Sequence, residues 1–305
     1  MKKYEELIKQ IDKVTKKSNI KIDEPMKNHT SFKVGGPADI LVTPEDVMEA
    51  QSIIKICKEN KVNYYLIGNG SNLLVRDGGI RGVVIKLCKL NKIEAEGNKV
   101  IAQSGASLYD VTMVALGEGL KGMEFANGIP GSIGGAAAMN AGAYNGEMSM
   151  VMESILALDN NGELLTLTKG EMELSYRSSA ILKHGYTVIS VTLNLQVGDK
   201  EIIKARMDDL AKKRSDKQPL EYPSAGSTFK RPEGHYASVL IQDCELKGTC
   251  VGDAQVSEKH SGFIINRKNA SAKDILDLIK LVQLEVYEKF GVKLSTEVKI
   301  WGEEK

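Results

Sequence analysis

The sequence predicts an α+β protein. Three observations carry that prediction: a strand–helix–strand unit over residues 38–67, antiparallel hairpins downstream of it, and a last third of short strands and helices around one long helix. At 305 residues the length admits one large domain or two to three smaller ones. Net charge is +1, so no overall field draws the chain to nucleic acid or a membrane surface. No dense basic run interleaves with aromatics, which argues against a nucleic-acid groove.

In chain order, Leu7, Ile8, Ile11 and Val14 recur at three- and four-residue spacing, predicting a helix over Tyr4 to Thr15. The start of the chain has no apolar core of a signal peptide, and no apolar run reaches transmembrane length. Cys57, Cys88, Cys244 and Cys250 form no CxxC pair, so neither a metal site nor a disulfide framework is expected. Each reads as a small buried apolar residue, and the setting as reducing and cytoplasmic. Asn28 to Pro37 is polar, then glycine-rich, and reads as a turn between strands. His29, with no acid or second histidine close by, reads as a satisfied structural histidine. Ala38 to Val42 is a strand, and Glu45 to Asn60 a helix with Val47, Ala50, Ile53, Ile54 and Cys57 on one face. Asn63 to Ile67 is the next strand.

That strand ends in Gly68-Asn69-Gly70-Ser71-Asn72, which begins like a dinucleotide fingerprint. Leu73 stands where the third glycine belongs, no acid lies near the ribose position, and no P-loop lysine follows. The loop is neither Rossmann nor Walker. Its successive N–H groups still suit an anion nest, and an ordinary tight turn fits equally well. A second run, Gly128 to Gly142, is built almost wholly of small residues. Its glycines let backbone N–H groups approach a ligand, and Ser132 can cap a short helix over Ala136 to Ala138 whose N-terminus would take an anion. Close packing of helix on sheet is the competing reading. A ligand with a pyrophosphate between two ring systems would use both runs.

Between and beyond these runs, Gly82 to Leu87 is a strand and Lys92 to Ser104 a hairpin turning at Glu96-Gly97-Asn98. Ser107 caps a helix through Leu116. Ile155 to Leu167 is a second hairpin, turning at Asp159 to Gly162. Tyr176-Arg177-Ser178-Ser179 follows, then the apolar strand Thr187 to Leu195 and a charged amphipathic helix, Lys200 to Lys213, that bridges to a new domain. Prolines stiffen the loop Pro223 to Pro232, which presents Ser227. Helices over Tyr236 to Leu246 and Ala272 to Phe290, and strands at Gly262 to Ile265 and Val298 to Trp301, complete the chain, with Glu297 just before the last strand.

Six of these segments stand in an order that carries a resemblance: Asn28 to Pro37, Gly68 to Asn72, Gly128 to Gly142, Tyr176-Arg177-Ser178, Gly226 to Lys230, and Leu294 to Val298. Together they resemble the UDP-N-acetylenolpyruvoylglucosamine reductases of bacterial cell-wall synthesis, over nearly the whole chain. The resemblance implies a two-lobed FAD-binding domain of the vanillyl-alcohol-oxidase type plus a small C-terminal α+β domain that holds the substrate. The expected division is an N-terminal helical segment 1–19, an FAD-binding domain 20–198 with lobes of about 20–90 and 91–198, and a substrate domain 199–305. It also implies non-covalent FAD, NADPH as co-substrate, and a sugar nucleotide as substrate, with neither nucleic acid nor membrane as partner. A monomer or weak oligomer in the cytoplasm is expected.

By the same resemblance, the FAD-binding residues are Gly68, Asn69, Gly70, Ser71 and Asn72, then Gly128, Ile129, Pro130, Gly131, Ser132, Gly134, Gly135, Ala141 and Gly142. Arg177 matches the family's arginine, whose planar fork suits a carboxylate. Ser227 matches its proton-donating serine and Glu297 its glutamate. Tyr176, Lys217, Lys230, Arg231 and His235 are expected around the substrate. The interval from Arg177 to Ser227 leaves no room for the loop, with its tyrosine, that one class of the family inserts there. The chain therefore resembles the shorter class. A flavin oxidase of the same fold is the alternative, disfavoured because the first glycine loop lacks the histidine to which many such enzymes attach flavin.

Overall fold

The computed structural model describes residues 4–305; residues 1–3, where the expected segment 1–19 begins, lie outside the described residues. Two compact units divide the chain, and neither is contiguous. The first comprises Met1–Ile22, Ile40–Asn69 and Gly82–Lys213, the second Asp23–Asp39, Gly70–Arg81 and Arg214–Lys305.

The first unit has two hydrophobic cores. One gathers Leu7 and Ile11 from the helix Glu5–Ile11, Ala50, Ile53, Ile54 and Cys57 from the helix Val47–Glu59, and strand residues including Ile40, Val42, Val83 and Ile85. The spacing of the Val47–Glu59 residues puts all four on one face, and the Asp46 carboxylate caps the helix by accepting the Glu49 N–H at 2.8 Å. Strand Tyr64–Ile67 pairs in parallel with Ile80–Lys86, as a strand–helix–strand unit requires. The first helix is shorter than its apolar stripe suggests, ending at Ile11 before a turn that buries Thr15.

The second core lies under a five-stranded antiparallel sheet, in the order Leu164–Thr168, Met152–Leu158, Thr187–Asn194, Lys99–Gln103, Ile93–Glu96. Both expected hairpins are adjacent pairs in it. Helix Leu108–Gly117 packs on this core from its Ser107 cap, and so does the short helix Ile133–Ala138 from its Ser132 cap.

The second unit is built on helix Ala272–Phe290, which buries Ala272, Ile275, Leu278, Ile279, Val282 and Val286 along one stripe. Its start is doubly secured. Ser271 and Asp274 form a capping box, and the Asp77 carboxylate accepts the N–H groups of Ala272 and Lys273, both at 2.9 Å. Against it lies an antiparallel sheet in the order Ser224–Ser227, Phe263–Asn266, Ala254–Val256, Cys250–Val251. The closing strand Lys299–Trp301 runs parallel to Leu73–Val75. The charged helix extends over Lys200–Lys217 and keeps a narrow buried stripe, Ile203, Met207, Leu210 and Arg214.

Candidate active site

In the second unit, a backbone clasp assembles the C-terminal candidates. Strand Ser224–Ser227 pairs with Phe263–Asn266 through a register shift between Ser224 and Ser227, where Gly226 takes φ +74°. The shift leaves Ser227 exposed while Thr228 turns inward. The Thr228 N–H donates to the Gly262 carbonyl at 2.9 Å, and its hydroxyl accepts the Ile264 N–H at 3.1 Å. The next residues grip the segment before the last strand: the Glu297 N–H donates to the Thr228 carbonyl at 2.8 Å, and the Lys230 N–H to the Ser295 carbonyl at 2.9 Å. Phe229 and Thr296 form the bridge between these two bonds. Glu297 is thereby set opposite the residue that follows Ser227.

The same segment holds the second half of the first glycine loop. Asn72 donates its amide to the Glu297 carbonyl at 3.2 Å, and its own carbonyl accepts the Lys299 N–H at 3.0 Å. The Gly70 carbonyl accepts the Ser31 N–H at 3.1 Å. Gly70 has φ +63°, and a Cβ there would stand 2.0 Å from the His29 carbonyl oxygen, so only glycine fits. His29 is a satisfied structural histidine. Its ring nitrogen lies 2.8 Å from Glu24, an acid only five positions upstream that the sequence reading passed over.

The remaining substrate candidates also belong to the second unit. Lys217, Arg231 and His235 are exposed and Lys230 is half-buried. The Arg231 guanidinium stacks 3.9 Å from the centre of the Tyr236 ring. Two residues here escaped the sequence reading. His260 packs edge-on against Phe263, and burial holds its imidazole below the usual histidine range, with the Lys247 and Lys217 charges adding to the effect. Arg214 is only 6 % exposed on a helix whose composition reads as solvated, so charge density concealed it.

In the first unit, the two glycine runs touch. A Cβ at Gly68 would lie 2.2 Å from the Ser132 hydroxyl oxygen. Ser132 caps its helix as expected, accepting the Gly135 N–H at 3.4 Å. The expectation of a helix end with free donors is corrected. The Ile133 and Gly134 N–H groups donate to the Ala106 and Ser104 carbonyls, both at 2.9 Å. Some of the glycine content answers to packing as well. A Cβ at Gly134 would meet Ser104 at 2.7 Å, and one at Gly142 the Gly146 carbonyl oxygen at 2.6 Å. Backbone open to a ligand lies elsewhere in the run. Gly135 is exposed, with only the Ser132 hydroxyl near a built Cβ, at 3.5 Å. Gly128 and Gly131 hold φ +81° and +144°, conformations that favour glycine. Pro130 is exposed and Ile129 half-buried.

Arg177 sits in a two-residue turn. Ser175 and Ser178 exchange N–H···O bonds of 3.1 Å, and Arg177 takes φ +54° at the tip beside Tyr176. Its guanidinium carbon is 4.9 Å from the Tyr176 ring centre, and one terminal nitrogen donates to the Gly142 carbonyl at 3.2 Å. The arginine is thus tied to the end of the glycine segment that also carries Ala141. Arg177 and Tyr176 belong to the first unit, Ser227 and Glu297 to the second.

Comparison with known proteins identifies the family. The family model described as UDP-N-acetylenolpyruvoylglucosamine reductase, C-terminal domain, matches residues 218–301, and the model described as FAD binding domain matches residues 38–168. A UDP-N-acetylenolpyruvoylglucosamine reductase of Clostridium novyi is 62% identical over 97% of this chain and 96% of its own length. The chain belongs to the UDP-N-acetylenolpyruvoylglucosamine reductase family. A further member from Clostridium tetani is 58% identical over 100% of this chain and 99% of its own. Among solved structures, the UDP-N-acetylenolpyruvylglucosamine reductase of Thermus caldophilus matches with a TM-score of 0.79 at 35% identity, covering 91% of this chain and 97% of that one. The fold alone extends to a variant of Phl p 4 described as a glucose oxidase, at a TM-score of 0.50 and 15% identity, over 64% of this chain and 45% of that one.

The FAD-binding match spans both glycine runs. The residues present fit such a cofactor. The exposed Gly135, the backbone at Gly128 and Gly131 that favours glycine, and the uncharged polar side chain of Asn69 suit a pyrophosphate approached by N–H donors. One expectation about other groups is revised. Among the cysteines only Cys57 is buried, while Cys88 and Cys244 are partly exposed and Cys250 is exposed. Among the described residues, no helix is long and apolar enough to cross a membrane.

Proposed function

We propose that Arg177, Ser227 and Glu297 carry the reduction of an enolpyruvyl ether in this member of the UDP-N-acetylenolpyruvoylglucosamine reductase family. The chain is a flavin-dependent reductase with NADPH as reductant and UDP-N-acetylglucosamine enolpyruvate as substrate. When bound, FAD supplies the hydride transfer, from NADPH and on to the terminal carbon of the enolpyruvyl group.

The protein's own task follows from the substrate. Hydride addition to a vinyl ether leaves negative charge on the neighbouring carbon, which spreads into the attached carboxylate. Arg177 binds that carboxylate with its planar fork and stabilises the charge as it grows. Ser227 returns a proton to the carbon through its exposed hydroxyl. Glu297, in its protonated form, donates a hydrogen bond to the enolate-like oxygens. The observation that supports these roles is the backbone clasp that joins Thr228, the neighbour of Ser227, to Glu297.

The cofactor assignment includes Gly68, Asn69, Gly70, Ser71, Asn72, the run Gly128 to Ser132, Gly134, Gly135, Ala141 and Gly142. Within it, Gly134 and Gly142 serve by packing, and Asn72 by bonding the Glu297 carbonyl. Tyr176, Lys217, Lys230, Arg231 and His235 are assigned to the sugar nucleotide, the two lysines to its diphosphate. The division into an FAD-binding domain 20–198 and a substrate domain 199–305 belongs to the same reading. So do a cytoplasmic location, supported by four free cysteines, and action as a monomer or weak oligomer.

Anaerobic stopped-flow absorbance tests the proposal by separating flavin reduction by NADPH from flavin reoxidation by the enolpyruvyl substrate. Variants of Arg177, Ser227 and Glu297 should slow the second step and spare the first. Purified protein that is colourless and refuses added FAD would overturn the reading entirely.

A further inference from the structure

Asn140 is 0% exposed, yet its side chain is fully engaged. Its backbone takes φ +42°, a left-handed conformation that asparagine tolerates better than most residues. The Oδ1 atom accepts the Ser149 N–H at 2.9 Å, and Nδ2 donates to Glu147 and to the Ser175 carbonyl, both at 3.2 Å. These partners settle which way round the amide sits, since an N–H faces the oxygen and two acceptors face the nitrogen. The Ser149 hydroxyl donates to the same Glu147 oxygen, so the carboxylate is held in place.

The Ser175 carbonyl is the anchor of the Arg177 turn, because it also accepts the Ser178 N–H that closes the turn. The arginine's other end donates to the Gly142 carbonyl, two residues after Asn140. A ring results. The stretch from Asn140 to Gly142 holds the base of the turn through a side-chain amide and the tip of the arginine through a backbone carbonyl. The Ser179 hydroxyl adds a bond to the Ala138 carbonyl at 2.7 Å on the same stretch.

We propose that Asn140 is the positioning residue for Arg177, its amide setting the Tyr176–Arg177 turn so that the guanidinium fork meets the substrate carboxylate in register. This inference rests on the role given above to Arg177. An acid cannot replace the amide. Asn140→Asp keeps the acceptor for the Ser149 N–H but turns a second carboxylate oxygen toward Glu147 and the Ser175 carbonyl, which releases the turn.

The test compares Asn140→Asp, Arg177→Ala and the double variant as FAD-loaded proteins, in both half-reactions. Asn140→Asp should retain FAD and be reduced by NADPH within about 2-fold of the parent rate. Its reoxidation by the enolpyruvyl substrate should slow by roughly 10²-fold, the usual effect of an ångström-scale misplacement. In the Arg177→Ala background the same substitution should change reoxidation by less than about 2-fold, because the group it positions is gone. Parental reoxidation in Asn140→Asp beside a slow Arg177→Ala would overturn the inference and leave the arginine's role standing. A parental rate in Arg177→Ala would instead reject the arginine's role. Additive losses, or equal loss in both half-reactions, would make Asn140 a general structural residue and overturn the inference. If Asn140→Asp does not accumulate, Asn140→Gly, which keeps the left-handed backbone, is measured in the same way. Loss of FAD in both variants would likewise count against the inference.

Discussion

Replacing Ser227 by alanine isolates the proton-transfer step. The substitution removes one exposed hydroxyl and no packing. The local backbone is held by other atoms: Ser227 keeps its register with Phe263, Gly226 has open space around a built Cβ, and the clasp to Glu297 begins at Thr228. Stability should therefore change by no more than about 0.5 kcal/mol. A positioned general acid contributes roughly 10²–10⁴ to a rate, or about 2.7–5.4 kcal/mol of barrier. Flavin reoxidation by the enolpyruvyl substrate should slow by that factor, while reduction by NADPH stays near the parent rate, because Ser227 has no part in the first hydride transfer. Anaerobic stopped-flow absorbance reads the two steps separately. Equal slowing of both would refute the reasoning, as would parental reoxidation: the first would make Ser227 structural, the second would move the acid elsewhere.

Arg177→Lys should also slow reoxidation, by roughly 10–100-fold, since an ammonium cannot donate to the Gly142 carbonyl and grip a carboxylate with a planar fork together. Near-parental kcat/KM for the enolpyruvyl substrate would exclude the bidentate contact. Asp77→Ala removes two carboxylate bonds from the start of helix Ala272–Phe290 and should destabilise the protein by about 2–4 kcal/mol, seen as a lower melting temperature and faster amide exchange in that helix; an unchanged melt would show the capping box suffices alone. Burial pushes the Cys57 thiol up to about 12. A raised value in the folded state means that the contribution is complete below the ordinary thiol range and is lost as pH rises through about 12. At pH 8 a thiol reagent should modify the exposed Cys250 readily and Cys57 only on unfolding; rapid labelling of Cys57 in folded protein would contradict its burial.

Local physics was legible where it acts locally. Helix Ala272–Phe290 has the bounds its apolar period and preceding serine imply, and the Asp159 to Gly162 turn joins the strands it separates in sequence. The short strands Leu73–Val75 and Ser224–Ser227 were not legible. The first finds its partner only at Lys299–Trp301, and the second is an Ala-Gly-Ser stretch that reads as loop until Phe263–Asn266 pairs with it. The short helix Ile133–Ala138 shows the opposite error. Its cap was legible, but not that Ala106 and Ser104 take the donors beside it, since both lie in a turn remote in sequence. The site follows the same division. Arg177, Ser227 and Glu297 are singly of types that populate any surface, and only their order along the chain singled them out. What aligns Glu297 with the Ser227 strand is a bond between main-chain atoms of residues far apart in sequence, indifferent to the side chains on either side. Residue identity therefore marks which groups react, while the pairing that brings two of them together leaves almost no trace in residue identity.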